Sequence, residues 1–177
     1  MRLGLTGGYC AGKNAAAALL AARGWDCVDV DALGHEAMEL ARDRIVERFG
    51  PGILGPEGSL DRRALARVVF SDPRALADQE AIVHPVAIEL LEARVAEAEG
   101  RARAAGEEPL VCVNAALLHR VPHLAGCAVV IEVRAPLALR FARALARDRA
   151  GPAAAIRRLW RQRRFRAAFL AEARASG

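Results

Sequence analysis

Two short stretches near the N-terminus combine residue types and spacings that suit phosphate chemistry. Gly7-Gly8-Tyr9-Cys10-Ala11-Gly12-Lys13 fits the pattern G-x-x-x-x-G-K. In that pattern the backbone N–H groups converge on a β-phosphate while the lysine spans the β- and γ-phosphates. Gly8, Tyr9, Cys10, Ala11, Gly12, Lys13, Asn14 and Ala15 are therefore expected to hold the phosphates of a nucleoside triphosphate. Every cationic side chain in the chain is arginine except Lys13. A compact ammonium fits inside a ring of amides, whereas a planar guanidinium is too large and directs its donors in a fork. A glycine turn that merely joined a strand to a helix would need neither the spacing nor the lysine. Where the pattern normally places a Ser or Thr hydroxyl on Mg2+, Asn14 offers a carboxamide oxygen of similar hardness and longer reach.

The second stretch is Asp29-Val30-Asp31. Read as the end of a strand, its alternation points both carboxylates to one face, on the side of the sheet where the phosphate loop must lie. Phosphoryl transfer to a hydroxyl needs a carboxylate that orients the acceptor and takes its proton. The same residues also suit the capping of a following helix, and both readings stand at this stage.

These side chains need a scaffold that presents the loop at the carboxyl end of a strand. Residues 2–6 read as a short apolar strand, 7–12 as the loop, and the alanine-rich segment 13–23, stopped by Gly24, as a helix. A second strand over 26–30 completes a βαβ unit, which requires parallel pairing. Apolar runs at 110–113 and 128–133 supply two more buried strands. Helical patterns fill the interval at 37–49, 61–70 and 73–104, the last with a break near His84-Pro85. Two more helices, 136–149 and 153–174, flank Gly151-Pro152. The expected fold is α/β of the P-loop NTPase type, with a parallel sheet of about four strands flanked by helices, a helical insertion and a lid helix. It forms a single domain with its core at 1–32 and 108–135, the helical region at 33–107, and lid and C-terminal helices at 136–177.

With 177 residues and 54% hydrophobic content, the chain can bury one sizeable core and little more. No run of eighteen apolar residues occurs, so no membrane span is expected. Cys10, Cys27, Cys112 and Cys127 lack metal-ligand or redox spacing, and three of them lie in apolar runs. A soluble cytoplasmic protein is the simple expectation. From Arg134 onward, twelve arginines face only Asp148 and Glu172, a net of +10 that leaves −5 for the remainder. Such a segment can bind nucleic acid, line a phosphate site, or simply present a solvated helix face. The aromatics of its tail, Trp160, Phe165 and Phe169, fall at near-helical spacing and read as a core stripe, which argues against a base-stacking platform for nucleic acid.

Leu5-Thr6-Gly7-Gly8 with Ala11-Gly12-Lys13, followed by Val28-Asp29-Val30-Asp31-Ala32-Leu33, resembles the N-terminus of the dephospho-CoA kinase family. Phe49-Gly50-Pro51, Gly58-Ser59-Leu60-Asp61-Arg62, Val69-Phe70-Ser71-Asp72-Pro73 and Ile82-Val83-His84-Pro85 are similar to that family's acceptor-side segments in order and spacing. The resemblance implies transfer of the ATP γ-phosphate to the ribose 3'-hydroxyl of dephospho-CoA, with Mg2+ as cofactor and ATP and dephospho-CoA as small-molecule partners. It implies that Asp31 is the base, that Asp29 and Asn14 support the metal, and that Asp29, Arg62 and His84 face the acceptor. His84 standing alone before a proline is more often a structural residue than a catalyst. The resemblance also places a lid near residues 140–148. There Arg143 and Arg147, four apart on one helix face, would close over the triphosphate and spread the charge of the transferring group.

The chain departs from the family pattern at several points. Asn14 replaces the hydroxyl residue, and Arg140 stands where the lid usually has glutamine. Asn114-Ala115-Ala116-Leu117-Leu118-His119-Arg120 replaces an acid or valine followed by Pro-Leu-Leu and an acid. No strand pattern follows the last helix where the family's fifth strand borders the adenine. Two alternatives stay open beside a dephospho-CoA kinase: a P-loop kinase for another nucleotide or nucleoside, and a catalytically weak homologue that binds nucleotide or RNA. Oligomeric state is not legible.

Overall fold

The computed structural model describes residues 1–116, 126–148 and 151–160. Four strands, β1 (Arg2–Gly7), β2 (Asp26–Asp29), β3 (Val111–Asn114) and β4 (Val129–Val133), form one sheet in the order β2-β3-β1-β4. Every pairing is parallel: Leu5 lies opposite Asn114 on one side and Ile131 on the other, and Asp29 lies opposite Asn114. The carboxyl ends of β1, β2 and β3 therefore coincide, and the phosphate loop leaves from that edge. The helices are α1 (Lys13–Ala21), α2 (Val30–Leu40), α3 (Arg42–Phe49), α4 (Arg62–Ser71), α5 (Pro73–Ala104) and α6 (Leu137–Asp148). A 3-10 turn at Pro51–Ile53 precedes α4, and residues 152–160 are helical.

The chain divides into two compact units, Met1–Asp29 with Glu97–Gly177, and Val30–Ala96. In the first, Leu3, Leu5, Ala17 and Cys112 form a buried cluster between the sheet and α1, against which Leu20 and Trp25 pack. In the second, Ala37, Ile45, Ile53, Leu65 and Val83 bring α2 to α5 together.

Several expectations change. The second strand ends at Asp29 rather than at residue 30, and Asp31 lies in the first turn of α2. The two carboxylates thus do not alternate along one strand. A carboxylate in a first helical turn is favoured by the partial positive charge there, so the local field supports the earlier helix start. Residues 73–104 form one continuous helix through Pro85, without the expected break. A proline removes one N–H and crowds one carbonyl, a local cost that the apolar stripe on either side outweighs here. The third strand is buried throughout, but β4 is not, since Val129 and Ile131 stand 50% and 41% exposed. An apolar run cannot distinguish a central strand from one at the end of the described order. Trp160 is 63% exposed, while Ala155 and Leu159 carry the buried face of 152–160, so the expected aromatic core stripe fails at its first member. Phe165, Phe169, the remainder of the expected 153–174 helix and any fifth strand lie outside the described residues, as do Leu117 to Arg120.

Two family-like acids do structural work. Asp61 caps α4 by accepting from the N–H groups of Ala64 and Arg63, which holds its carboxyl below the usual carboxylate range. Asp72 accepts from the Arg74 N–H at 2.9 Å at the start of α5. In the first unit, Arg2 Nε donates to Glu99 Oε1 at 2.5 Å, and Arg103 donates to Glu99 Oε2 at 3.0 Å. The Arg2 hydrogen bond is the main cause of a lowered Glu99 pKa. The folded state thus binds this proton less readily than the unfolded chain does. The associated stability is complete above the unfolded pKa, about 4.3 for a free glutamate, and is lost as pH falls through the lower folded value. Glu99→Gln should lower Tm at neutral pH and flatten the acid limb of a Tm-against-pH series; an unaltered acid limb would show that this ion pair is not linked to folding.

Candidate active site

The phosphate loop begins where β1 ends. Gly7 lies so close to β4 that an added Cβ would meet the Val133 carbonyl oxygen at 2.7 Å, so any side chain would force the strands apart. Two residues of the loop take left-handed backbone conformations, Cys10 at φ 58° and Gly12 at φ 106°. Glycine adopts that region freely, whereas a non-glycine residue such as Cys10 is strained there. Successive residues of this kind turn backbone N–H groups into one concavity, the geometry of an anion-binding nest. Gly12 is also the N-cap of α1, and no side chain caps it. The first-turn N–H groups and the positive end of the helix dipole therefore suit a phosphate. Lys13 is the first helical residue and is 9% exposed. Asn14 and Ala15 are exposed beside it.

Over this loop lies a set of arginines from α6. Arg140 Nε donates to the Tyr9 carbonyl at 2.8 Å. Arg143 Nη1 donates to the carbonyls of Ala11 and Cys10 at 3.3 and 3.5 Å. The Arg147 guanidinium stands 5.8 Å from the centre of the Tyr9 ring. The i, i+3, i+7 spacing of the three puts them on one helical face. A guanidinium has five N–H donors, so binding a loop carbonyl leaves others for a phosphate. In the sequence Arg140 stands out only as a departure from a family pattern, although the same spacing groups it with Arg143 and Arg147. Nothing in the sequence singles out Arg158. Its Nη1 donates to the Tyr9 hydroxyl at 3.2 Å from 149 residues away, a meeting for which no local pattern exists.

At the carboxyl edge of the sheet, Asp29 and Asn114 are register partners. Asn114 is 3% exposed, and its Oδ1 is buried without a hydrogen-bond partner among the described residues. A buried acceptor of this kind is costly unless a donor such as a metal-bound water reaches it. Among the described residues no group of three or more His, Cys, Asp or Glu side chains is arranged to hold a metal. Mg2+ at a nucleotide site needs no such cage, because it keeps waters and takes phosphate oxygens beside one or two protein ligands. The hard oxygens of Asn14 and Asp29, with the orphaned Asn114 oxygen adjoining Asp29, suit that ion. Thr6, 6% exposed, donates from its hydroxyl to the Ala116 carbonyl at 3.3 Å and so holds the segment after β3.

The structure thus brings Lys13, Arg143 and Arg147 to one loop. Asn14 and Asp29 lie in the same first unit, whereas Asp31, Arg62 and His84 belong to the second. Asp31 opens α2, two residues beyond the end of β2. Arg62 at the start of α4 lies 3.9 Å from Glu39, and His84 is an exposed residue of α5. Apart from Cys10 in the loop, the thiols lie elsewhere. Cys27 and Cys112 are register partners on adjacent strands, and burial pushes the Cys112 pKa up to about 12, so it behaves as a small apolar residue.

The sequence matches the dephospho-CoA kinase family over residues 1–169. It is 41% identical over 161 residues to the dephospho-CoA kinase of Anaeromyxobacter dehalogenans, covering 89% of this chain and 74% of that one. It is 37% identical over 160 residues to that of Moorella thermoacetica, with the same coverage. Among solved structures, TT1252 from Thermus thermophilus superposes with a TM-score of 0.77 at 35% identity, covering 89% of this chain and 78% of that one. The dephospho-CoA kinase from Campylobacter jejuni shares the fold, with a TM-score of 0.56 at 20% identity over 91% of this chain and 79% of its own. The family match spans the loop, the acids after it and the arginine-bearing helix alike, and this chain belongs to the dephospho-CoA kinase family.

Proposed function

We propose that this protein transfers the γ-phosphoryl group of ATP to the ribose 3'-hydroxyl of dephospho-CoA, giving CoA and ADP. The observation that carries this reading is the nest at Cys10 to Lys13 with Arg140 and Arg143 of α6 laid against its carbonyls, in a chain of this family. The loop N–H groups and Lys13 hold the β- and γ-phosphates. Arg143 and Arg147 spread the charge that grows on the γ-phosphoryl oxygens as the bond to the β,γ-bridging oxygen breaks, and they exclude water that would otherwise hydrolyse ATP. The new bond forms to the ribose 3'-oxygen, whose proton passes to Asp31. Arg62 and His84, with Asp29, are assigned to the acceptor, and the helical region around them to its pantetheine arm. Mg2+, held through Asn14 and Asp29, would supply further charge compensation on the phosphates.

The test is an ADP-release assay with ATP and Mg2+, comparing dephospho-CoA with adenosine, AMP and no acceptor. Turnover confined to dephospho-CoA is the expected result. Turnover with adenosine or AMP instead would move the assignment to another nucleotide or nucleoside. Binding of ATP with no turnover on any acceptor would point to a non-catalytic module. Among the described residues no helix is long and apolar enough to cross a membrane.

A further inference from the structure

Tyr9 occupies a variable position of the phosphate loop, where the motif asks only for a backbone N–H. Its side chain nevertheless collects two guanidinium groups. Those of Arg147 and Arg158 each lie 5.8 Å from the ring centre, and Arg158 also donates to the hydroxyl at 3.2 Å. The Tyr9 carbonyl accepts from Arg140 at 2.8 Å. One loop residue thus joins α6 and the helical segment 152–160.

We propose that the Tyr9 side chain is a positioning residue that holds Arg147 over the phosphate loop and ties the helix at 152–160 to the same point, an inference that rests on the kinase reading above. The physical case concerns charge. Arg140, Arg143, Arg147 and Arg158 gather on Tyr9 and the two loop residues after it, and like charges in one place repel. A carboxylate in the position of Tyr9 would hold Arg147 but would also neutralise it and compete with a phosphate for its donors. An aromatic face attracts a guanidinium through its quadrupole and carries no net charge, so this contact itself offsets none of the arginine's charge. Loop carbonyls do the same for Arg140 and Arg143: they are neutral acceptors that orient a cation without cancelling it. The order imposed on Arg147, a long side chain with many rotamers, is set before the transferring group develops its charge.

The experiment compares the unmutated chain with Tyr9→Phe, Tyr9→Leu, Arg147→Ala and the Tyr9→Leu/Arg147→Ala double variant. Steady-state kinetics use ATP and dephospho-CoA, and the rates of trypsin cleavage after Arg147 and Arg158 are followed alongside. Tyr9→Leu should lower kcat about tenfold, with KM for dephospho-CoA unmoved, because Arg147 loses the ring face that holds it over the loop. Tyr9→Phe, which keeps the ring face, should retain most of kcat. In the Arg147→Ala background Tyr9→Leu should add little, and in the otherwise unmutated chain it should accelerate cleavage at both sites. The proposal is overturned if Tyr9→Leu leaves kcat and cleavage unaltered, or if its loss of kcat is as large without Arg147 as with it. Faster cleavage of Tyr9→Leu, in a protein whose unmutated form turns over no acceptor, would establish the tether and refute the kinase reading, so the two failures are separable.

Discussion

Lys13→Ala should abolish nearly all phosphoryl transfer while leaving the protein folded. Lys13 is 9% exposed at the first position of α1, directly after the nest of the phosphate loop. Its removal takes away the side-chain cation assigned to the β- and γ-phosphates. Loss of a preorganised charge at such a place lowers kcat on the order of 10²- to 10³-fold. The fold should persist because alanine is a strong helix former and the loop conformation is set by Gly12 and by β1. Kinetics and thermal melting of the same preparation check both parts. Retention of full turnover would remove the loop from the mechanism, and a collapse of Tm would assign Lys13 a structural role instead. Lys13→Arg is expected to rescue little, since the planar fork does not fit a ring of amides.

Asp31→Asn should produce the second large effect and a different signature. If Asp31 takes the proton of the attacking hydroxyl, the carboxamide keeps the shape and loses the base. General-base removal lowers kcat on the order of 10²- to 10⁴-fold, while the affinity for ATP changes little. Fluorescence titration with an ATP analogue, alongside kinetics, separates the two quantities. Parallel losses in ATP affinity and kcat would reassign Asp31 to the metal or the nucleotide. The structure sharpens this test: Asp31 lies in the first turn of α2, where the helix field favours a carboxylate, so some loss of stability accompanies the substitution. The comparison with Asp31→Ser, which can still cap or face that turn but is no base, isolates the chemistry from the helix.

The sequence by itself determined the loop, its lysine and the family. Those are local or linear properties, because a glycine pattern that must cradle a phosphate cannot be dispersed along the chain. The two central strands, β1 and β3, are legible for a related reason: a strand buried on both faces must be apolar over a few consecutive residues. Spacing alone also put Arg143 and Arg147 on one face, and it would have added Arg140.

What only the tertiary structure decided concerns partners far apart in the chain. No periodicity sets the order β2-β3-β1-β4, and so none could place Asn114 beside Asp29 or leave β4 half exposed. The end of β2 at Asp29 was missed because Asp-Val-Asp suits a strand by alternation, whereas the chain turns into α2 one residue early. The continuity of α5 through Pro85 was missed because a local rule about proline was outweighed by packing along the helix. Tyr9 and Arg158, 149 residues apart, meet only because α6 and the segment after it fold back onto the loop. Sequence patterns record what each short segment needs for itself; the charges that surround a phosphate are assembled from segments whose proximity arises from the packing of the whole sheet.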